Sequence, residues 1–104
     1  MVENQIRVKV KIFSWFSGAL VPGQDSPLLL EEELPSGSSL RTCFSRLSAR
    51  FARFEEIIYD SREDNLQVQV VLAHNGKLLT GSDLMNLVLQ NGDSISLIPV
   101  YAGG

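Results

Sequence analysis

The residues of this chain with the clearest chemical potential are the last three, Ala102, Gly103 and Gly104. After Tyr101 no side chain is larger than a methyl group, so these residues can thread a slot that excludes ordinary side chains. We therefore expect residues 101–104 to form a flexible tail that delivers the carboxylate of Gly104 to the active site of another protein. A carboxylate is ionised at neutral pH and is a poor electrophile, so acyl chemistry there requires activation by a partner, for example as an acyl-adenylate.

The rest of the sequence offers few residues for catalysis or metal binding. It contains one cysteine, Cys43, and one histidine, His74. A single cysteine excludes an internal disulfide and a cysteine-based zinc site, and we predict no metal site and no permanently bound cofactor. Cys43 is expected to behave as a small hydrophobe, and His74 as a surface or turn residue. We therefore do not expect this chain to be an enzyme by itself.

Length and composition are those of one ordinary globular domain, which we predict to span residues 1–104. The net charge of −3 argues against a nucleic-acid binder that works through a basic surface. Arg7, Lys9 and Lys11 precede an apolar run, as in a secretory signal, but they alternate with apolar residues at the period of a strand. No run approaches the roughly 18 apolar residues of a membrane span. We therefore expect a cytoplasmic protein.

The first strand and the segment after it carry different patterns. Strict alternation of apolar and charged residues predicts a strand over Ile6–Phe13. Glycine and proline within Ser14–Pro27 predict a loop. Trp15 and Phe16 lie within this segment, either as anchors that pin it to the core or as an exposed aromatic patch for a partner.

A second strand and a helix are predicted next. Leu28–Leu34 has the composition of a strand, and its three glutamates, Glu31–Glu33, are expected on a solvated face or edge. A turn follows, with Ser38 or Ser39 as the N-cap of a helix. Apolar residues then recur at steps of three and four, which is the stripe of an amphipathic helix on a sheet. They are Leu40, Phe44, Leu47, Phe51 and Phe54.

The second half of the chain predicts three more strands. Glu55–Asn65 is polar and acidic and is expected to form a connecting loop. Gln67–Leu72 is expected to be a strand, with Val68 in phase with the inward residues. An Asn-Gly pair at residues 75–76 predicts a hairpin turn into a short strand at Lys77–Leu79.

A short helical turn and a last strand complete the predicted elements. Ser82 or Asp83 is expected to cap the helical turn. In the last strand, Ile95, Leu97 and Pro99 are predicted to share one face. The other face carries Ser96, Ile98 and Val100.

This order of elements predicts an α+β domain. We expect a mixed sheet of five strands, or of four strands plus a short one, with one main helix packed across one face. The two terminal strands would lie parallel in the middle of the sheet if the two hairpins pair locally.

This order, together with the terminal Gly-Gly, resembles the ubiquitin-like β-grasp fold and, more narrowly, the ThiS/MoaD sulfur carriers. That family includes the small subunit of molybdopterin synthase. Residues 34–40 resemble the family's entry into its helix, and residues 70–77 resemble its strand with a closing Asn-Gly turn. Residues 89–99, followed by Gly103 and Gly104, resemble its C-terminal signature. The glycine and proline in Ser14–Pro27 depart from the short polar helix that usually occupies this position in the molybdopterin branch.

The resemblance implies a reaction at the tail. A ubiquitin-activating-type enzyme would adenylate Gly104 with ATP, and the carboxylate would then become a thiocarboxylate that passes sulfur to a biosynthetic acceptor. Gly103 and Ala102 would provide clearance. The implied partners are this adenylating enzyme and the larger subunit of molybdopterin synthase, or another sulfur acceptor.

Tyr101, Val100 and Ile98 are the candidate docking residues for a partner. Ile98 and Val100 form an apolar patch on the face opposite Ile95 and Leu97. Two interpretations remain open for this patch, since it is either a docking surface or covered by the loop that carries Trp15 and Phe16.

Three functions are compatible with the sequence. The first is a sulfur carrier, acting in the synthesis of molybdopterin or of a similar cofactor. The second is a ubiquitin-like modifier that forms an isopeptide bond between Gly104 and lysines of target proteins. The third is a non-catalytic β-grasp interaction domain whose tail is inert.

Overall fold

The chain folds around one mixed sheet, and the computed structural model describes its residues 4–100. The elements are strand β1 (Gln5–Ile12), helix α1 (Ser14–Leu20), strand β2 (Leu28–Pro35), helix α2 (Leu40–Arg50), helix α3 (Phe54–Ile57), strand β3 (Tyr59–Asp60), strand β4 (Asn65–Leu66), strand β5 (Val70–His74), strand β6 (Lys77–Leu79), a 3₁₀ turn (Leu84–Asn86) and strand β7 (Ser94–Pro99). The flexible tail predicted for residues 101–104 lies outside the described residues.

The sheet has five strands in the order β2-β1-β7-β5-β6. β1 and β7 are parallel at its centre, with Val10 aligned to Ile95, and the other pairs are antiparallel. The mixed five-stranded sheet and its parallel terminal strands therefore confirm the predicted architecture. β3 and β4 form a separate two-stranded hairpin.

The core lies between one face of the sheet and α2. Alternate residues of β1 are buried, as the period of the sequence predicts. Ser39 is the N-cap of α2, and its hydroxyl accepts a hydrogen bond from the backbone N–H of Thr42 at 3.4 Å. The aromatic rings of Phe44 and Phe54 meet edge to face with their centroids 5.3 Å apart. The buried residues of α2 are Leu40, Cys43, Phe44 and Leu47.

The predicted apolar stripe does not continue as one helix. α2 ends at Arg50, because Phe51 takes an extended conformation with φ of −126° and ψ of 114°. A turn closed by a hydrogen bond from the N–H of Phe54 to the carbonyl of Phe51 then leads into α3. Phe54 therefore reaches the core from a second helix, while Phe51 stays partly buried at the junction.

The loop predicted for Ser14–Pro27 is wrong in its first half, which forms α1. Gly18, interpreted as a loop signal, is a packing residue here, because a Cβ on it would lie 3.0 Å from the carbonyl oxygen of Gln24. Phe16 is fully buried and anchors this segment to the core, whereas the Trp15 side chain is 56% exposed. The anchor interpretation therefore applies to Phe16.

The solvated position predicted for the three glutamates is wrong for Glu32, which is buried. It lies in the same phase of β2 as Leu34, and its carboxylate forms an ion pair with Arg50 at the end of α2. Strand alternation thus places one carboxylate inside, where a cation from another element compensates its charge.

The loop predicted for Glu55–Asn65 contains α3 and the β3–β4 hairpin instead. Asp64 sits in the turn of this hairpin at a φ of 54°. Its carboxylate accepts hydrogen bonds from the Nε of Arg41, at 2.9 Å, and from the hydroxyl of Tyr59, at 2.9 Å. The hydrogen bond from Arg41 lowers the pKa of the Asp64 carboxyl. These contacts fasten the hairpin to α2.

Two predicted features at the third and fourth strands have different outcomes. The strand predicted from Gln67 begins only at Val70, because residues 67–70 form a turn closed by a hydrogen bond from the Val70 N–H to the Gln67 carbonyl at 3.1 Å. The hairpin turn is confirmed, since Asn75 and Gly76 both have positive φ, 52° and 84°.

The predicted cap of the short helical turn is only partly right. Asp83 precedes the 3₁₀ turn, but its side chain makes no capping hydrogen bond. Leu84 and Met85, the first two residues of this turn, are buried. Among the helices of residues 4–100, none is long and apolar enough to cross a membrane.

Candidate functional site

The candidate site begins where β7 leads into the tail. β7 is flanked on one side by β1 and on the other by β5, so its position is fixed by hydrogen bonds on both edges. The N–H of Val100 donates a further hydrogen bond to the carbonyl of Gln69 at 2.9 Å. The predicted site residues Tyr101, Ala102, Gly103 and Gly104 lie outside the described residues, so the structure places only the root of the tail.

The sheet face opposite α2 carries apolar side chains on β5, β6 and the end of β7. Ile98 lies opposite Val71 across the β5–β7 pair, and it points away from the buried residues Ile95 and Leu97. Leu78 is 63% exposed, and Val100 is 46% exposed. We call Val71, Leu78, Ile98 and Val100 the outer apolar patch. This patch contains the predicted docking residues Ile98 and Val100. It also contains Val71 and Leu78, which were not predicted.

The other half of the same face is charged. Lys9 and Lys11 of β1 lie beside β7, at the level of its serines. Arg7 forms ion pairs with Glu31, at 3.9 Å, and with Glu33, at 3.5 Å, on the neighbouring strand. Since these side chains are largely exposed, each pair adds little to stability. The outer face is thus apolar on its β5–β6 side and charged on its β1–β2 side.

Phe16 does not cover the outer apolar patch. Its side chain is fully buried among the core residues on the α2 side of the sheet, which include Ile12 and Leu97. Ile98 is outside that core. The placement of Phe16 is therefore compatible with docking at Ile98.

A polar network fixes the turn that precedes β7. The Asp93 carboxylate accepts hydrogen bonds from the Gln90 N–H, at 2.8 Å, and from the Asn75 amide, at 3.0 Å, and lies 2.9 Å from Nε2 of His74. Burial raises the pKa of Asp93, but these hydrogen bonds outweigh it and leave the pKa below its usual value. Asn75 also accepts a bond from the Ser94 N–H at 2.8 Å. His74 is thus the last residue of β5, not the surface or turn residue that was expected, and its ring helps to position the turn before β7.

Cys43 and His74, the single cysteine and the single histidine of the chain, do not form a reactive centre. Burial raises the pKa of the Cys43 thiol to about 12, so the thiol stays protonated at neutral pH and is a poor nucleophile. Within residues 4–100, no three His, Cys, Asp or Glu side chains cluster in a way that could hold a metal ion.

A mixed sheet crossed by one main helix, with its last strand central and parallel to its first, defines a ubiquitin-like β-grasp protein. The model of the ThiS family matches residues 19–104. The chain therefore belongs to the ThiS family. Both the predicted family and the predicted fold class are confirmed.

Three solved structures resemble the chain over nearly its whole length. A Pyrococcus furiosus protein described as a molybdopterin converting factor, subunit 1, is 30% identical, with a TM-score of 0.63, covering 92% of this chain and 99% of that one. SAMP1 from Haloferax volcanii is 15% identical, with a TM-score of 0.68, covering 94% and 99%. Urm1 from Trypanosoma brucei is 19% identical, with a TM-score of 0.67, covering 99% and 100%. The last two likenesses are evidence for the fold alone. No curated protein sequence matches the chain.

Sequence reasoning missed Val71 and Leu78 in the outer apolar patch. A signal was present for Val71, because it is apolar and lies out of phase with the inward residues Val70 and Leu72. An apolar residue on the polar face of a strand indicates a second buried surface or a docking surface.

Proposed function

We propose that this protein is a sulfur carrier whose Gly104 carboxylate is adenylated and then converted to a thiocarboxylate. The observation that carries the proposal is the family match, because it runs to the end of the chain and includes Gly103 and Gly104. The chain acts as the donor of sulfur and not as an enzyme by itself. ATP is used by the activating partner, and we propose no permanently bound cofactor.

The proposed reaction has two steps. A carboxylate oxygen of Gly104 attacks the α-phosphorus of ATP in the activating enzyme, and pyrophosphate leaves. Hydrosulfide then attacks the acyl carbon, AMP leaves with the bridging oxygen, and a thiocarboxylate remains. Gly103 and Ala102 give the clearance that lets Gly104 reach both centres. Transfer of the sulfur to an acceptor and addition of water regenerate the carboxylate.

We propose that the outer apolar patch is the docking surface for these partners. It lies on a rigid sheet at the root of the tail, so a partner bound there receives the tail at a fixed place. Ile98, Val100 and Tyr101 would be the last residues whose side chains contact the partner before the tail enters its slot. The partners are a ubiquitin-activating-type enzyme and a larger molybdopterin synthase subunit or another sulfur acceptor.

Molybdopterin synthesis is the pathway we propose, in the cytoplasm. The 30% identity to a protein described as a molybdopterin converting factor subunit supports this choice. Helix α1 also supports this choice. The molybdopterin branch usually has a short helix after its first strand, and α1 lies at that position, where a loop was expected.

The second candidate function is that of a protein modifier. The likeness to SAMP1, a small archaeal modifier protein, favours it as a candidate. Both functions need adenylation at Gly104, but the modifier then forms an isopeptide bond with a lysine amine. A third candidate, an interaction domain with an inert tail, needs no reaction at Gly104.

The deciding experiment is intact-mass analysis after incubation with ATP, the adenylating enzyme and hydrosulfide. The sulfur carrier predicts the exchange of one oxygen for one sulfur, located on the C-terminal peptide. A variant that lacks Gly104 is the control and is expected to remain folded and unmodified. Lysine adducts of the chain in cell lysate, with no thiocarboxylate, would favour the modifier. The interaction domain with an inert tail would be favoured if the mass does not change and the variant without Gly104 keeps full function.

A further inference from the structure

Val68 is the most exposed large hydrophobic residue among residues 4–100, with 97% of its surface in solvent. The periodicity of the sequence places it inward, in phase with Val70. It lies outside instead, because it occupies a central position of the turn formed by residues 67–70.

This turn is fastened to α3. The backbone N–H of Gln67 donates to the carbonyl of Ile58 at 2.8 Å, and its side-chain amide donates to the carbonyl of Glu55 at 2.7 Å. The side-chain amide of Gln69 lies 3.5 Å from the carbonyl of Ile57. The hydrogen bonds of Gln67 and Gln69 thus fix the backbone on both sides of Val68. The Val68 side chain is not part of the core.

The same turn borders the root of the tail. Val70 is aligned with Pro99, and the carbonyl of Gln69 accepts the hydrogen bond from Val100. Val68 precedes Gln69 in the turn, so it lies one residue from the carbonyl that holds Val100. Val68 and Val100 are thus two exposed valines whose segments are joined by this hydrogen bond.

The length of the tail limits how far a partner can stand from this pair. Residues 101–104 span at most about 14 Å when fully extended. A protein that receives Gly104 in an internal site must therefore bring the mouth of its slot close to Val100. A single exposed valine is ordinary on a protein surface. This one, however, lies where the receiving protein must make contact.

We propose that Val68 is a docking residue for the adenylating enzyme that receives the tail, and that it packs against an apolar surface at the mouth of that enzyme's slot. The proposal rests on the proposed function and adds to it a contact outside the tail and outside the outer apolar patch. Because the contact forms on docking and is remote from the reacting carbon, it acts on the KM for this chain and leaves kcat unchanged.

The test is ATP–pyrophosphate exchange by the adenylating enzyme, measured against the concentration of this chain. Val68→Asp is expected to raise KM at least tenfold with unchanged kcat, and Val68→Ile to stay within twofold of the wild type. Val88→Asp is the matched control, because Val88 is a valine that is 51% exposed near the opposite end of the sheet, paired with Ser39. Its KM is expected to match the wild type.

The two proposals fail in distinguishable ways. An unchanged KM for Val68→Asp, or an equal rise for Val88→Asp, overturns the role of Val68 while adenylation of the wild type still supports the carrier. A change confined to kcat also overturns it. If the wild-type chain supports no more exchange than the Gly104 deletion, the proposed function and the role of Val68 both fall. Thermal unfolding of each variant checks that the fold is intact.

Discussion

The carboxylate of Glu32 and the guanidinium of Arg50 form an ion pair that joins strand β2 to the last turn of helix α2. The Glu32 side chain is 8% exposed, whereas that of Arg50 is 45% exposed. The pair therefore consists of a buried anion and a cation that covers it from the solvent side. It closes the core at the end where α2 stops.

Removing the cation alone should destabilise the protein more than removing both charges. Arg50→Met leaves the Glu32 carboxylate buried without its partner, and we expect a loss of about 2–4 kcal/mol in the free energy of unfolding. The double variant Glu32→Leu/Arg50→Met is expected to recover most of this loss. Urea denaturation of the three proteins measures it. Equal losses in the single and double variants would contradict the explanation.

The thiol of Cys43 should be unreactive in the native protein. It is fully buried, and burial raises its pKa to about 12, so the thiolate is scarce at pH 8. Alkylation by iodoacetamide, followed by mass spectrometry, should therefore proceed only after unfolding in urea. Rapid labelling of the folded chain at pH 8 would show that this part of the core opens readily.

The Asp93 network should make stability depend on acid pH. The pKa of Asp93 is below its usual value in the folded protein, so the ionised carboxylate stabilises the fold. This contribution is complete above the unfolded pKa of about 3.9 and is lost as the pH falls through the lower folded value.

Asp93→Asn tests this dependence, because the amide is neutral at every pH. Thermal unfolding should show a smaller loss of stability between pH 5 and pH 2 in the variant than in the wild type. Asp25→Asn, a carboxylate outside the network, is the control and should leave the acid dependence as it is. Parallel curves for the wild type and Asp93→Asn would contradict a role for Asp93.

The outer apolar patch should matter for docking and not for folding. Leu78→Ser exposes no new core surface, because Leu78 is already largely in solvent. We therefore expect the free energy of unfolding to change by about 0.5 kcal/mol or less. Binding to the adenylating enzyme should weaken at least tenfold, measured by calorimetry. Leu29→Ser is the matched control, since Leu29 is an exposed leucine on the far edge strand β2. Equal binding of the two variants would argue against the patch.

Much of the fold could be predicted because its signals are local. β1 alternates strictly between apolar and charged residues, and the Asn75–Gly76 turn needs positive φ at both residues. The parallel placement of the two terminal strands followed from the expectation that the two hairpins pair locally. The small residues of the tail indicated that a partner activates the Gly104 carboxylate, and the resemblance to a family then pointed to a thiocarboxylate.

The errors arose where a distant part of the chain decides the local conformation. Gly18 is required in helix α1 because a Cβ there would lie 3.0 Å from the carbonyl oxygen of Gln24. Glu32 lies in the inward phase of β2, and its charge is compensated there because Arg50 reaches it from α2. Val68 is exposed because α3 holds its turn. In each case the deciding atom belongs to another element, so a periodic pattern along one segment carries no signal of it.

The parallel pairing of β1 and β7 has a mechanical consequence. The chain enters the sheet at Gln5 and leaves it at Pro99, and the two strands run side by side in the same direction. A pull on the tail against the amino-terminal end therefore loads the hydrogen bonds between them in shear, all at once, and does not open them one after another. The sheet therefore resists a pulling force applied at its carboxyl end, and a partner can hold the last residues under tension without separating β7 from β1.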